Sequence, residues 1–270
     1  MKSAGTRKKN RLRRALVWLV VLLVISTLLI SLPAFHLNII SVNELSNISE
    51  DEIAAASGLR EGQHLAAGLG GSLRHFFQLR YGKAEQKIAD SLPYVRSAIV
   101  KMRFPSQIDI KIDERIEVAY VTIPDGCVLI DKEGYALSIH SELPDNIPVI
   151  AGIRAVSLSL GQPLTVDVTS SMQLAVSIMG AIIDADRDER STISLISQVR
   201  KIRPAGGDLV YLTVVLPDTG EELIILAERA GDLADDMLWL RFAIEQNVLS
   251  GHGRGILDLT GDKRIFRPDG

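Results

Sequence analysis

The sequence predicts an α+β protein with a single transmembrane helix near the N-terminus. A small β-α-α-β-β domain follows, and then a larger, mainly antiparallel β domain with two helices. Three observations predict it. Residues 15–32 are an uncharged apolar run of 18 residues behind a head with seven Lys or Arg and no acid. Residues 98–112 alternate apolar and polar around a Pro-Ser turn, as a half-buried hairpin does. Beyond Glu114, short strand patterns separated by turn residues outnumber helical ones.

The apolar run would make a helix about 27 Å long, near the thickness of a bilayer's hydrocarbon core. Lys2, Arg7, Lys8, Lys9, Arg11, Arg13 and Arg14 would hold the head in the cytoplasm. The core is longer than that of a cleaved secretory signal, and its exit through Pro33 lacks a small-x-small cleavage site. The expected organisation is a basic head at 1–14, a span at 15–33, and domains at 34–113 and 114–270. The protein would sit in the cell membrane as a single-pass type II protein, with both domains extracytoplasmic. Removing the seven basic residues of the head leaves 23 basic against 33 acidic residues, a balance that argues against nucleic acid. Cys127 is the single cysteine, so apolar cores rather than disulfides must hold the domains.

The elements follow in order. Residues 37–42 (LNIISV) read as a strand. Ser49 and Glu52 have capping-box spacing, Ile53, Ala56 and Leu59 share one helix face, and Gly58 and Gly62 supply the stop. A second helix spans 83–92 on Ala84, Ile88 and Leu92 and ends at Pro93. Ala98, Val100, Met102 and Phe104 then alternate with polar residues, and Ile108, Ile110 and Ile112 do so after the turn. Strands are expected at 118–121, 127–130, 135–137, 148–151, 209–216, 221–226, 256–259 and 263–267. Helices are expected at 171–183, on Leu174, Ile178 and Ile182, and at 232–248, on Leu233, Met237, Leu240, Ile244 and Val248.

Catalytic and metal chemistry is tested and set aside. Asp184, Asp186 and Asp188 have the spacing of a calcium loop, but Glu189 replaces the needed Gly and Leu195 the bidentate Glu. The five histidines, His36, His64, His75, His140 and His252, have neither zinc spacing nor a cysteine partner. Cys127 lies in a buried-strand pattern, G-x-S-x-G is absent, and the glycine clusters at 68–71 and 251–255 open no helix. No catalytic residue, metal or cofactor is expected.

Leu92-Pro93-Tyr94-Val95, Ala98 with Val100, Phe104-Pro105, the isoleucine alternation into Glu114-Arg115, and Val118-Ala119 form an ordered set. So do Ile130-Asp131 with Gly134, Leu143-Pro144, Pro148-Val149-Ile150 with Gly152, and Ile256 with Asp258-Leu259. This set resembles the bacterial division family FtsQ, called DivIB in many Gram-positive bacteria. The resemblance implies that the first domain is a POTRA module and the second a β domain whose last strands pair with partners. It implies a non-enzymatic scaffold of the divisome, located at the septum. That scaffold would bind FtsL-like and FtsB/DivIC-like division proteins outside the cytoplasm and couple septal peptidoglycan synthesis to division, touching the septal synthase indirectly. Against that pattern, residues 66–80 look inserted, and Asp236 stands where the family usually has a basic residue. A POTRA-type chaperone or secretion component would need a membrane barrel that these strands cannot make. A membrane-anchored wall enzyme would need a site.

Two surfaces stand out. Lys263, Arg264, Ile265, Phe266 and Arg267 form the last strand before Pro268, so a partner strand could add to its free edge. The alternative is an edge guarded by its own charges. Alternation puts Arg264 and Phe266 on one face. Phe266→Glu is expected to weaken partner capture without affecting unfolding. In the insertion, Leu73, Phe76 and Phe77 make an apolar stripe with basic flanks if Ser72 caps a helix. It would pack on its own domain or else contact a membrane surface or partner.

Overall fold

The computed structural model describes residues 13, 16–25, 27, 32–144, 147–187, 191–229, 232–261 and 263–268. The chain divides into two compact units, Met1–Asp113 and Glu114–Gly270.

The expected single-pass anchor requires correction, and with it the membrane placement and the transmembrane part of the fold class. Among the described residues no helix is long and apolar enough to cross a membrane. The longest described helical stretch of the apolar run is 16–25. At 1.5 Å per residue it covers about 15 Å, half a hydrocarbon core. Ala15, Ser26 and residues 28–31 lie outside the described residues, as does all of the basic head except Arg13.

The first unit holds three strands, β1 at Ile39–Val42, β2 at Val95–Arg103 and β3 at Gln107–Glu114, in one sheet of order β1-β3-β2. Helix α1 (Glu50–Ser57) starts as its sequence dictates. Ser49 Oγ accepts from Glu52 N at 3.3 Å, and Ser49 N donates to Glu52 Oε2 at 2.9 Å. Gly58, at φ 69°, ends it in the left-handed conformation that lacks a Cβ penalty. Helix α2 (Leu73–Phe77) lies in the insertion, and helix α3 (Gly82–Ser91) buries Ala84 and Ile88. The core joins Leu37, Ile53, Tyr81 and Ile88 to the alternating Val100, Ile108 and Ile110.

Tyr81 is fully buried and its hydroxyl donates to Leu65 O at 2.5 Å. Burial pushes the Tyr81 hydroxyl up from its ordinary value of 10.0 to about 12. Between those pH values the unfolded chain gives up this proton while the folded chain keeps it. Stability present below pH 10 is therefore lost as pH rises to 12, by on the order of 2–3 kcal/mol. Among the described residues no core residue precedes Leu37, so residues 33–270 carry every described core whole. Urea midpoints of that segment should fall across this window, and Tyr81→Phe should remove the Tyr81 share of the fall. An identical pH profile in the Phe variant would reject the assignment.

The strands of the second unit are β4 (Glu117–Ile123), β5 (Gly126–Asp131), β6 (Ala136–His140), β7 (Val149–Ile150), β8 (Ala155–Ser157), β9 (Thr165–Val166), β10 (Val199–Gly206), β11 (Leu209–Val215), β12 (Glu222–Glu228), β13 (Gly255–Asp258) and β14 (Ile265–Pro268). Nine of them form one sheet in the order β14-β13-β12-β11-β10-β7-β4-β5-β6, and β8 pairs with β9 apart from it. The sheet is mixed: β7 runs parallel to both β4 and β10, and β12 runs parallel to β13.

Helices α4 (Thr169–Asp186) and α6 (Leu233–Glu245) supply Ile178, Ile182, Met237, Leu240 and Ile244 to a core with Ile202, Leu212 and Ile225 of the sheet. Between them lies a third helix, α5 (Leu195–Gln198), outside the sequence expectation. Its start is held by Asp186, which accepts from Ser194 Oγ, Leu195 N and Ile196 N at 2.9, 2.6 and 3.0 Å. Asp186, one carboxylate of the apparent calcium spacing, is thus used in the fold. Asp188 and Glu189 lie outside the described residues. Cys127 is buried, which pushes its thiol up.

Candidate partner-binding edge

Strand β14 is the outermost strand at one end of the large sheet, and it pairs antiparallel with β13 from Gly255↔Pro268 to Asp258↔Ile265. Alternation gives it two faces. Phe266 stands opposite Leu257 and packs half-buried against the core, its ring centroid 5.4 Å from that of His252. Arg264, just before the strand, reaches helix α6, where it donates to Asp236 Oδ1 at 3.1 Å and lies 4.7 Å over the Trp239 ring. On the other face, Ile265 is 47% exposed and Arg267 pairs with Asp258 at 2.9 Å. Lys263 is exposed in the turn before the strand.

A Cβ on Gly255 would meet Arg267 O at 2.5 Å and the Phe266 ring at 2.6 Å, so only glycine permits this approach of β14 to β13. Phe266 is therefore part of the fold as well as of the edge. The expectation that Phe266→Glu would spare unfolding is corrected, because the change places a carboxylate against Leu257 and the core.

The electrostatic expectation also changes. Arg264 and Arg267 are each answered by a carboxylate of the same unit, Asp236 and Asp258. Burial pushes the Asp236 carboxyl up, with Arg264 opposing the shift, while hydrogen bonds from Thr260 hold Asp258 low. The edge is less basic than its sequence reads, and half-exposed Ile265 is its large apolar side chain facing away from the core. Asp236, out of pattern in the sequence, acquires a physical role as the acid that anchors Arg264. Composition could not reveal that pairing, because 28 residues separate the two.

Two other sheet edges are covered in part by the chain itself. Beside β2, Tyr81 N donates to Val100 O at 2.9 Å and Met102 N to Leu79 O at 2.8 Å, while the Val100 N–H is taken by Glu85 Oε1 at 2.9 Å. Beside β6, Ala136 N donates to Gln162 O and Gly161 N to Ala136 O. Among the described residues no segment hydrogen-bonds along the outer side of β14.

The other sequence-predicted residues, Leu73, Phe76 and Phe77, lie in the first unit on α2, which Ser72 caps by accepting from His75 N at 3.2 Å. They do not pack on their own domain. Leu73 and Phe77 are 80% exposed and Phe76 53%.

A model of the FtsQ-type POTRA domain matches residues 35–115. A cell division protein DivIB from Clostridium acetobutylicum is 27% identical over 145 residues, covering 53% of this chain and 53% of that protein. A cell division protein DivIB from Clostridium tetani is 24% identical over 142 residues, covering 52% of this chain and 49% of that protein. The chain thus spans about half the length of the curated relatives it matches. The solved major extracytoplasmic domain of the division protein DivIB from Geobacillus stearothermophilus aligns at a TM-score of 0.29 and 13% identity, over 50% of this chain and 97% of that one. The β-α-α-β-β unit is thus an FtsQ-type POTRA domain, and over about half its length the chain is similar to the cell division protein DivIB.

Proposed function

We propose that this chain is a scaffold of the division machinery whose β14 edge takes a strand from an FtsB/DivIC-like partner. An FtsL-like protein would join the same assembly, through which septal peptidoglycan synthesis is coupled to division, with the septal synthase reached indirectly. The role is non-enzymatic, as the likeness to the non-catalytic FtsQ/DivIB proteins supports. The observation that carries the binding mode is the outer edge of β14, along which no described segment hydrogen-bonds, whereas β2 is covered at Val100 and Met102 and β6 at Ala136. An added strand would satisfy outward main-chain groups, and its alternate side chains would meet Ile265 on one face and the Phe266 side on the other. Arg267 and Pro268 guard the edge against indiscriminate pairing.

Ile265→Glu tests the proposal better than a change at Phe266, because Ile265 is half-exposed and faces away from the core. Capture of a purified FtsB/DivIC-like partner by the full chain should weaken at least tenfold, about 1.4 kcal/mol. The urea midpoint should move little. Full capture by a folded Ile265→Glu variant would move the partner surface off β14.

A further inference from the structure

We propose that Leu73, Phe76 and Phe77 form a rigid tip by which the POTRA unit binds the surface of an anionic lipid bilayer. The tip's base is a closed backbone frame. Gly70 N donates to Arg80 O at 2.8 Å, Gly82 N donates back to Gly70 O at 2.7 Å, and the segment at 79–81 is bonded to β2. Gly70 and Gly71, at φ 102° and 107°, make the turn into the helix, and a side chain on Gly71 would press on the Gly82 backbone at 3.4 Å. Arg80 is clamped to Glu85 by two bonds of 2.7 Å. The Phe76 and Phe77 rings are set edge to face at 5.9 Å. Three large apolar side chains are thus held outward by a stiff support, whereas solvent alone would favour their collapse onto the domain.

The charge pattern names the occupant. From Gly62 to Ala84 there is no acid, and Arg74, Arg80 and Lys83 fall within that stretch, in a chain whose residues after the head are acid-rich. Exposed Lys101 stands beside Arg80 across the β2 edge. Arg80 is paired with Glu85, but Arg74 lies on the tip helix and Lys83 follows Gly82 at its base, and an apolar tip with such basic flanks matches the acyl and headgroup layers of an anionic bilayer. Area argues the same way. With Leu73 and Phe77 80% exposed and Phe76 53%, the tip can bury roughly 400 Å² of its own surface, short of the ~600–800 Å² per partner of a stable protein–protein interface. A bilayer accepts a convex wedge of this size. The contact is peripheral and needs no spanning helix.

The test is flotation of residues 33–270, which carry every described core, with vesicles of phosphatidylcholine containing about one-third phosphatidylglycerol. The parent should co-float, and Phe76→Ser with Phe77→Ser should reduce binding at least tenfold without shifting the urea midpoint. Arg74→Glu, which keeps both aromatics, should weaken binding to anionic vesicles at least threefold. No co-flotation of the parent, or equal co-flotation of the double variant, would overturn the proposal. Equal binding to pure phosphatidylcholine would overturn the anionic assignment.

Discussion

Arg115→Ala is expected to destabilise the second unit by about 3–5 kcal/mol, the range for breaking a buried ion pair from one side. Arg115 and Asp131 are 8% and 4% exposed at their side chains. The guanidinium donates to Asp131 Oδ2 at 2.5 Å and to Glu133 Oε2 at 3.1 Å, and it lies 3.6 Å from the centre of the Tyr135 ring. Burial by itself would lower its pKa, but Asp131 and Glu133 hold it above the ordinary arginine value. The other Asp131 oxygen accepts from Glu133 N and Tyr135 N, each at 2.8 Å, and Gly134 completes the turn at φ 81°. Alanine at 115 would leave the carboxylate buried beside a void, still bonded to the turn but without its counter-charge. Asp131→Asn should cost less, because an amide oxygen still serves the turn and Glu133 still faces the arginine. In urea titrations of residues 33–270, the pair Arg115→Met with Asp131→Asn should lose less than the sum of the single changes, since the two act through one contact. A loss below about 1 kcal/mol for Arg115→Ala would mean that the site relaxes or admits water.

Arg115, Asp131 and Gly134 are among the residues that carry the family resemblance, and the structure gives them a common reason: they tie the entry to β4 to the turn after β5. Local signals of this kind are legible in the sequence. Ser49 with Glu52, Ser72 before α2, and the alternation from Ala98 to Ile112 each encode a conformation within a few residues. Long-range order is not. Strand β10 escapes recognition because Pro204 sits in it, yet Ala151 N donates to Ile202 O, so that side of β10 addresses β7. Pro204, two residues on, addresses the same side beyond the end of β7, where no donor is needed. Strand β7 is only two residues long and parallel to both neighbours, an arrangement that hydropathy cannot show. The α2 tip is illegible for another reason. Five residues are too few for a helical period to say whether an apolar stripe points in or out. At β14, position before Pro268 marks a last strand, but the Arg264–Asp236 anchor depends on a fold that brings α6 beside it.

Glu85→Ala should have the second-largest effect on stability, about 2–4 kcal/mol, and it should change how the first unit meets other chains. Glu85 lies nearly buried on α3 and serves two elements at once. It accepts two bonds from Arg80, raising that guanidinium's pKa, and it accepts the Val100 N–H of β2. Its loss would strand a backbone donor on β2 and a partly buried cation on the insertion. Arg80 is the residue between the two that bond to β2, Leu79 and Tyr81, so its release would loosen the strip that covers that edge. A bared β2 would offer unpaired main-chain groups, and exposed Ile99 would stand on the same strand. The expected result is a lower urea midpoint for residues 33–270 together with concentration-dependent self-association in sedimentation. Glu85→Gln, which keeps an acceptor oxygen for Val100 or Arg80, should retain much of the stability and remain monomeric over the same range. If Glu85→Ala were as stable as the parent, the backbone bonds of Leu79 and Tyr81 would suffice to hold the strip. If it were destabilised without associating, β2 would not be an edge that the insertion needs to cover.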